Sequence, residues 1–273
     1  MNVQVLCTTM LQKDLTKYEE MNIQTDVVFA NQDDRQEYRN AILNGNNVEM
    51  ITTPYRGVGK NRNMALLHAS GDILLFSDDD VRYKDGYPEA IKEAFRQAPE
   101  ADAILFNISQ SKDEASGRIN KGMKRVTFLN VLNYGMPRIA IRKKSWEKAN
   151  LWVTTLFGGG SRYCGGEDNL FLVQALKMGM KIYTHPFNLG SLADRESSWF
   201  RGIDKKYFFD NGAFLEAAFP LMKHPFAWYF ALKFVKKSDL NLLEAMKWQY
   251  RGMKAFGKGL GFDEWEEKTV DRQ

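Results

Sequence analysis

Through residue 107 the chain alternates short β-rich apolar runs with helical stretches, and this alternation restricts the fold more than any other feature. VQVLC (Val3–Cys7), DVVFA (Asp26–Ala30), VEMIT (Val48–Thr52), ILLFS (Ile73–Ser77) and AILFN (Ala103–Asn107) read as strands. Between them, helical composition appears around Lys13–Met21, in NRNMALLHA (Asn61–Ala69) and over about Tyr87–Gln97. Strands this uniformly apolar need cover on both faces, which intervening helices supply by crossing over a parallel sheet. The expected fold class is therefore α/β: a mostly parallel sheet flanked by helices. In such sheets ligands bind at the carboxyl ends of the strands.

At 273 residues and 44% hydrophobic, the chain can build one large core with an appendage. A net charge of +4 is too balanced to imply nucleic-acid binding. Cys7 and Cys164 match no metal or redox spacing, so both are expected to be thiols in a reducing compartment. No basic-then-apolar leader opens the sequence and no run of 18 apolar residues interrupts it, so the expected location is cytoplasmic.

After residue 107 the pattern loosens. Residues 108–135 are polar and weakly periodic, which suggests a flap or small excursion. RIAIR (Arg138–Arg142) reads as a strand and KKSWEKAN as a short helix; a glycine-rich loop then enters a helix near Glu167, and KIYTH (Lys181–His185) returns as a strand. From about Phe200 the chain turns helical, aromatic and basic. The domain reading is 1–200 for the α/β part, with 1–107 and 108–200 as its two halves, and 201–273 for a helical extension.

Three stretches carry chemistry. The fourth strand ends in Asp78, Asp79 and Asp80, whose mutual repulsion costs roughly 1–4 kcal/mol per close pair. A helix cap, exposure to water or a hard divalent cation could offset it. The segment YRGVGKNRNMALLHASGD places Lys60 and Arg62 where a helix should start, unfavourable for the helix dipole unless an anion is present. Its glycine spacing fits neither the P-loop nor the dinucleotide fingerprint. In GGEDNLF, Glu167 and Asp168 fall in a first helical turn, where acids are favoured anyway; a carboxylate held by a glycine loop could also take a proton from a substrate hydroxyl.

Taken in order, these parts resemble the GT-A glycosyltransferases, in particular the large inverting family 2. The resemblance covers roughly residues 1–200: an apolar first strand, NQDD after the second, G-x-x-x-x-R-N at Gly57–Asn63, GD-apolar-D-x-D at Gly71–Asp80, and GGED about 85 residues on. ESSWF (Glu196–Phe200) and FFDNGA (Phe208–Ala213) further resemble bacterial enzymes that build capsular or exopolysaccharide. The resemblance implies a nucleotide-sugar donor, by family habit UDP-linked, and a glycan or lipid-linked acceptor. It implies that Asp78 and Asp80 form the DxD pair, Asp80 toward a Mn²⁺ or Mg²⁺ on the diphosphate and Asp78 toward the nucleoside, with Asp79 between them. Thr8, Thr9, Asn31 and Asp33 would line the nucleoside pocket, and Arg62 and Asn63, with Lys60 nearby, would sit beside the nucleotide. Asp168 would be the catalytic base and Glu167 its acceptor-orienting neighbour. The histidine that many relatives place after this helix has no clear counterpart: His185 and Asp194 are the nearest candidates, and His185 at a strand end reads more simply as a structural hydrogen-bonder. The Q-x-x-R-W motif of processive synthases is missing, which points to one sugar per acceptor.

A sugar-phosphate nucleotidyltransferase would carry a glycine- and arginine-rich loop after the first strand, where this chain has TTMLQKD. A non-catalytic nucleotide-sugar or glycan-binding subunit would not need Asp168. The tail segment FPLMKHPFAWYFALKFVKK (Phe219–Lys237) is too broken by charge and proline to span a bilayer. It suits either a peripheral contact with the inner face of the cell membrane or, more plainly, packing onto the α/β part or a homodimer contact.

Overall fold

The computed structural model describes residues 1–110, 119–193 and 202–270. They divide into two compact units, Met1–Val153 with Phe171–Glu196, and Thr154–Leu170 with Ser197–Gln273. The segment 154–170 thus clusters with the helical tail rather than with the sequence around it.

In chain order the α/β elements are β1 (Val3–Met10), α1 (Lys17–Glu20), β2 (Asp26–Gln32), β3 (Glu37–Leu43), β4 (Asn46–Thr53), α2 (Val58–Leu67), β5 (Ile73–Asp78), β6 (Val81–Tyr83), α3 (Tyr87–Gln97), β7 (Ala103–Gln110), β8 (Ile139–Arg142), α4 (Lys143–Ala149), α5 (Glu167–Lys177) and β9 (Ile182–Leu192). Among the described residues the strands form one sheet in the order β3-β4-β2-β1-β5-β8-β7-β9-β6. Its β4-β2-β1-β5 half is parallel throughout, as the alternation of strands and helices requires. The other half is mixed: β8 runs antiparallel to both β5 and β7, β7 and β9 are parallel, and β6 closes the far edge antiparallel to β9.

β1 is buried along nearly its whole length, as a central strand covered on both faces must be. Its alternate residues Val3, Val5 and Cys7 join Tyr87, Ile91 and Phe95 in the main core cluster. In α3 the buried residues Tyr87, Ile91, Ala94 and Phe95 recur at helical spacing and form its inner stripe. β3, absent from the sequence reading, pairs with β4 through a two-residue turn in which Asn44 (φ 50°) and Gly45 (φ 80°) are both left-handed. That is the geometry of a type I′ hairpin, and Asn-Gly is its favoured pair.

The second unit carries α6 (Lys205–Ala218), α7 (Lys223–Phe234), α8 (Leu242–Phe256) and α9 (Phe262–Val270), as the sequence suggested. Asp204 caps α6 by accepting from the Tyr207 amide, and Asn241 with Glu244 forms a capping box on α8. α6 and α8 cross in backbone contact: a Cβ on Gly252 would lie 1.8 Å from the Phe209 carbonyl oxygen, and one on Gly212 would lie 2.0 Å from that of Gln249. Phe209 meets Phe262 edge-on at 5.3 Å, and both rings are buried beside this crossing. Neither cysteine forms a disulfide; Cys7 is buried and Cys164 exposed.

Candidate functional site

The carboxyl ends of β1, β2 and β5 lie side by side, because the parallel register sets Thr8 opposite both Ala30 and Asp78. β5 ends where its apolar run meets the aspartates, and Asp79 and Asp80 form the turn into β6. This turn is tied down at its far side: the Asp80 carbonyl accepts from the Ala193 amide at 2.7 Å, just beyond the β6–β9 pairing.

The charges at this end are partly matched by the protein itself. Asp78 Oδ1 accepts from Thr8 Oγ1 at 2.9 Å and from Arg62 Nη2 at 3.0 Å. Arg62 is buried and Asp78 half-exposed, so the bond is charge-assisted and only partly screened. Asp79 Oδ2 accepts from Thr9 Oγ1 at 2.9 Å. The field of the triplet also reaches Cys7 behind it: burial first, then Asp79, Asp78 and Asp80, push that thiol well above its ordinary pKa and leave it protonated and inert.

α2 starts at Val58, three residues earlier than the sequence suggested, so Arg62 stands in its second turn. From there it reaches Asp78, while Asn61 donates to the Thr9 and Ala30 carbonyls at 3.3 and 3.0 Å. Asn61, which sequence reasoning passed over, therefore clamps the ends of β1 and β2 together. Asn63 is engaged elsewhere, in a reciprocal pair with the Val153 backbone at 2.8 and 2.9 Å. Lys60 is exposed in the first turn.

Asn31 is fully buried, and its amide is committed to the protein. It donates to the Gln12 carbonyl and to Thr52 Oγ1, each at 3.0 Å, and accepts from the Gln12 amide at 3.1 Å. Asp33 lies between two cations: Lys13 Nζ at 2.8 Å, and Arg35, which also donates to it. Asn31 and Asp33 thus fix the loop after β1 from below. His185 lies inside β9, which runs on to Leu192 instead of ending at His185 as the sequence suggested, and it acts as a structural hydrogen-bonder: its Nδ1 accepts from the Phe187 amide at 3.2 Å, its ring lies 5.3 Å from that of Phe106, and burial lowers its pKa. Asp194 and Glu196–Phe200 lie outside the described residues.

Glu167 and Asp168 open α5, as expected. The preceding Gly165 and Gly166 both have left-handed φ, 75° and 91°, and a Cβ on Gly166 would meet the Phe214 ring at 2.9 Å. Only glycine serves at both positions without strain. Glu167 is buried, whereas Asp168 is half-buried, its Oδ1 accepting from the Asn169 amide at 2.7 Å. The loop is anchored by Asp210, a buried acid of α6 whose Oδ2 accepts from the Cys164 amide at 3.0 Å and from Lys206 Nζ at 2.6 Å. Burial raises the Asp210 pKa despite both contacts.

The donors available for a metal are hard carboxylate oxygens, the type that Mg²⁺ and Mn²⁺ take. Among the described residues no group of three or more His, Cys, Asp or Glu side chains is gathered to hold a metal. A cation held here would therefore need a phosphate ligand and water to complete its coordination, because the described residues offer no all-protein cage.

Residues 26–158 match the family model described as glycosyl transferase family 2. Several solved structures share the fold. The S. aureus TarS fragment 1-349 in complex with UDP-GlcNAc has a TM-score of 0.60 at 14% identity, over 96% of this chain and 93% of that one. The same fragment in complex with UDP gives 0.61 at 15% identity over the same shares. The longer S. aureus TarS gives 0.56 at 16% identity, covering 87% of this chain and 43% of that one. No curated protein sequence matches the chain.

Proposed function

We propose that this chain, whose residues 26–158 match the glycosyl transferase family 2 model and whose fold is that of the GT-A enzymes, transfers one sugar, with inversion, from a UDP-sugar to a hydroxyl of a glycan or lipid-linked acceptor in surface polysaccharide synthesis. The observation that carries the reading is the cluster of Thr8, Thr9, Arg62, Asp78 and Asp79, bonded to one another at the carboxyl ends of β1 and β5. That is where an open α/β sheet takes its ligand. The S. aureus structures solved with UDP and UDP-GlcNAc support UDP as the nucleotide and make N-acetylglucosamine the first sugar to try.

Asp80 and Asp78 would hold Mn²⁺ or Mg²⁺ together with the donor's phosphates. When bound, such a cation stabilises negative charge on the departing diphosphate. The protein's own groups do the rest. Arg62 orients Asp78, and the Thr8 and Thr9 hydroxyls fix the rotamers of Asp78 and Asp79. Asp168 takes the proton from the acceptor hydroxyl, which attacks the anomeric carbon on the face opposite the nucleotide, and Glu167 orients that acceptor. A single displacement inverts the anomeric centre, and no sugar becomes attached to the enzyme.

A thermal-shift screen of nucleotide sugars with Mn²⁺, followed by measurement of released UDP with an acceptor panel, tests the reading. Stabilisation by a UDP-sugar and acceptor-dependent UDP release are expected. Nucleotide-sugar binding without turnover on any acceptor would favour a non-catalytic binding subunit.

A further inference from the structure

Helix α7 keeps Phe226, Phe230 and Phe234 half-buried but turns a second set of large apolar side chains outward. Its fully buried residues are the small Ala227 and Ala231, while Trp228, Tyr229 and Leu232 are 48%, 55% and 56% exposed. At 100° per residue the three large side chains fall within one stripe about 100° wide, on the side away from Phe226, Phe230 and Phe234. Just ahead of the helix, Leu221 and Met222 are exposed as well. Phe226 packs on Phe219 at 4.8 Å and Phe234 on Tyr207 at 5.6 Å, so the helix already packs through one set of rings and leaves a second set, with Leu232, in solvent. The cost of exposing a contiguous apolar stripe makes it a mark of a contact surface.

The charges around the stripe say what kind of contact. Between Phe219 and Lys237 there are four lysines, Lys223, Lys233, Lys236 and Lys237, and no aspartate or glutamate. Lys223 is paired with Glu216 at 2.7 Å, but Lys233, Lys236 and Lys237 are exposed at the carboxyl end. Lys233 Nζ stands 5.5 Å from the Tyr229 ring and 5.2 Å from that of Phe234, so cation and ring share one patch. A second copy of the chain is a poor occupant, because a two-fold contact through this stripe would set lysines against lysines without a carboxylate to receive them. An anionic lipid surface fits both features: rings and leucine settle at the acyl boundary while the ammonium groups meet headgroup phosphates.

At 12 residues α7 is far too short to cross a bilayer, and among the described residues no helix is long and apolar enough to do so. We infer that the α7 face formed by Leu221, Met222, Trp228, Tyr229 and Leu232, with Lys233, Lys236 and Lys237, docks this protein flat onto an anionic membrane surface. The inference does not rest on the transfer reaction and needs no donor or acceptor to be tested.

The experiment is co-sedimentation of the full chain with vesicles of phosphatidylcholine alone or mixed with phosphatidylglycerol, at low and high salt. Pelleting with the anionic vesicles at low salt, weakened at high salt and weak on phosphatidylcholine, is expected. The triple variant Lys233→Glu, Lys236→Glu, Lys237→Glu should bind about 100-fold more weakly, since each lysine near such a surface contributes about fivefold. The double variant Trp228→Ser, Leu232→Ser should also lose binding, and both should keep the wild-type unfolding temperature because the replaced side chains are exposed. Three results would overturn the inference: a wild-type chain that stays in the supernatant with anionic vesicles at low salt, equal pelleting on both lipids, or a vesicle-free dimer by light scattering that Trp228→Ser abolishes.

Discussion

Gly190→Ala should damage nucleotide binding from a distance, because Gly190 is where β9 passes β6 at closest range. A Cβ there would lie 2.0 Å from the Arg82 carbonyl oxygen, 1.4 Å inside the 3.4 Å at which ordinary contact begins. The same Cβ would lie 2.9 Å from Tyr83 Cα, so backbone blocks it on two sides and no side chain can yield. The pairing it disturbs is short: Val81 with Leu192, Arg82 with Ser191 and Tyr83 with Gly190, flanked by Lys84 to Leu189 at 2.8 Å and Ala193 to Asp80 at 2.7 Å. Moving β6 outward by an ångström or more breaks bonds of that length. Overpacking of this kind costs about 1–3 kcal/mol. At roughly 2–4 °C per kcal/mol for a chain near this size, the unfolding temperature should fall by about 2–12 °C. β6 is an edge strand, so the fold should survive while the turn bearing Asp79 and Asp80 loses its outer tether. We expect UDP affinity, measured by calorimetry with Mn²⁺, to fall about tenfold or more. An unfolding temperature that drops while UDP affinity stays at the wild-type value would refute the link between this pairing and the aspartate turn.

Asp80→Ala should abolish the part of UDP affinity that Mn²⁺ or Mg²⁺ confers; equal calorimetric affinity of the wild type with and without EDTA would exclude a metal role. Asp168→Asn should lower turnover about 10²- to 10⁴-fold, the usual share of general-base catalysis, with UDP binding nearly unchanged; near wild-type transfer would move the role to another group. Arg62→Ala leaves the buried side of Asp78 without its cation and should destabilise the chain by about 3 kcal/mol or less, since Asp78 can still reach water, with weaker nucleotide binding read by calorimetry. Asp210 supplies a pH signature. Burial raises its pKa in the folded chain, so the native state binds the proton more tightly than the unfolded state does. Its contribution is therefore most favourable below the ordinary carboxylate range and is lost as pH rises through the folded pKa. Relative to Asp210→Asn, the wild type should lose stability between acidic and neutral pH in urea titrations; a pH-independent difference would refute it.

Strands and helices of the α/β half were legible where burial on both faces leaves an uninterrupted apolar run, as in β1, β2 and β5. β3 escaped because an edge strand is only half-buried and its sequence, EYRNAIL, mixes charge with apolar residues. The signal was nevertheless present in Asn44-Gly45, the hairpin pair that follows it. β6 escaped for a different reason: three residues directly after an acidic triplet have no period to read. The aspartates, Arg62 and the first-turn acids of α5 stood out because like charges beside apolar runs need an explanation. Asn61 did not, since an amide that bonds only to backbone carbonyls leaves no compositional trace. Asp210 was visible only as an acid among phenylalanines in FFDNGA, and its anchoring of the Cys164 amide depends on a contact 46 residues apart.

The contrast between the two cysteines has a practical consequence. Cys7 is sealed behind the aspartate turn with its thiol held protonated, while Cys164 is exposed in the glycine loop, three residues before Glu167. With 2 cysteines in the whole sequence, a maleimide dye added to the native protein should attach at one position without any engineering. That dye would sit on the loop that leads into Asp168, so its fluorescence can follow this loop in real time as nucleotide and acceptor are added.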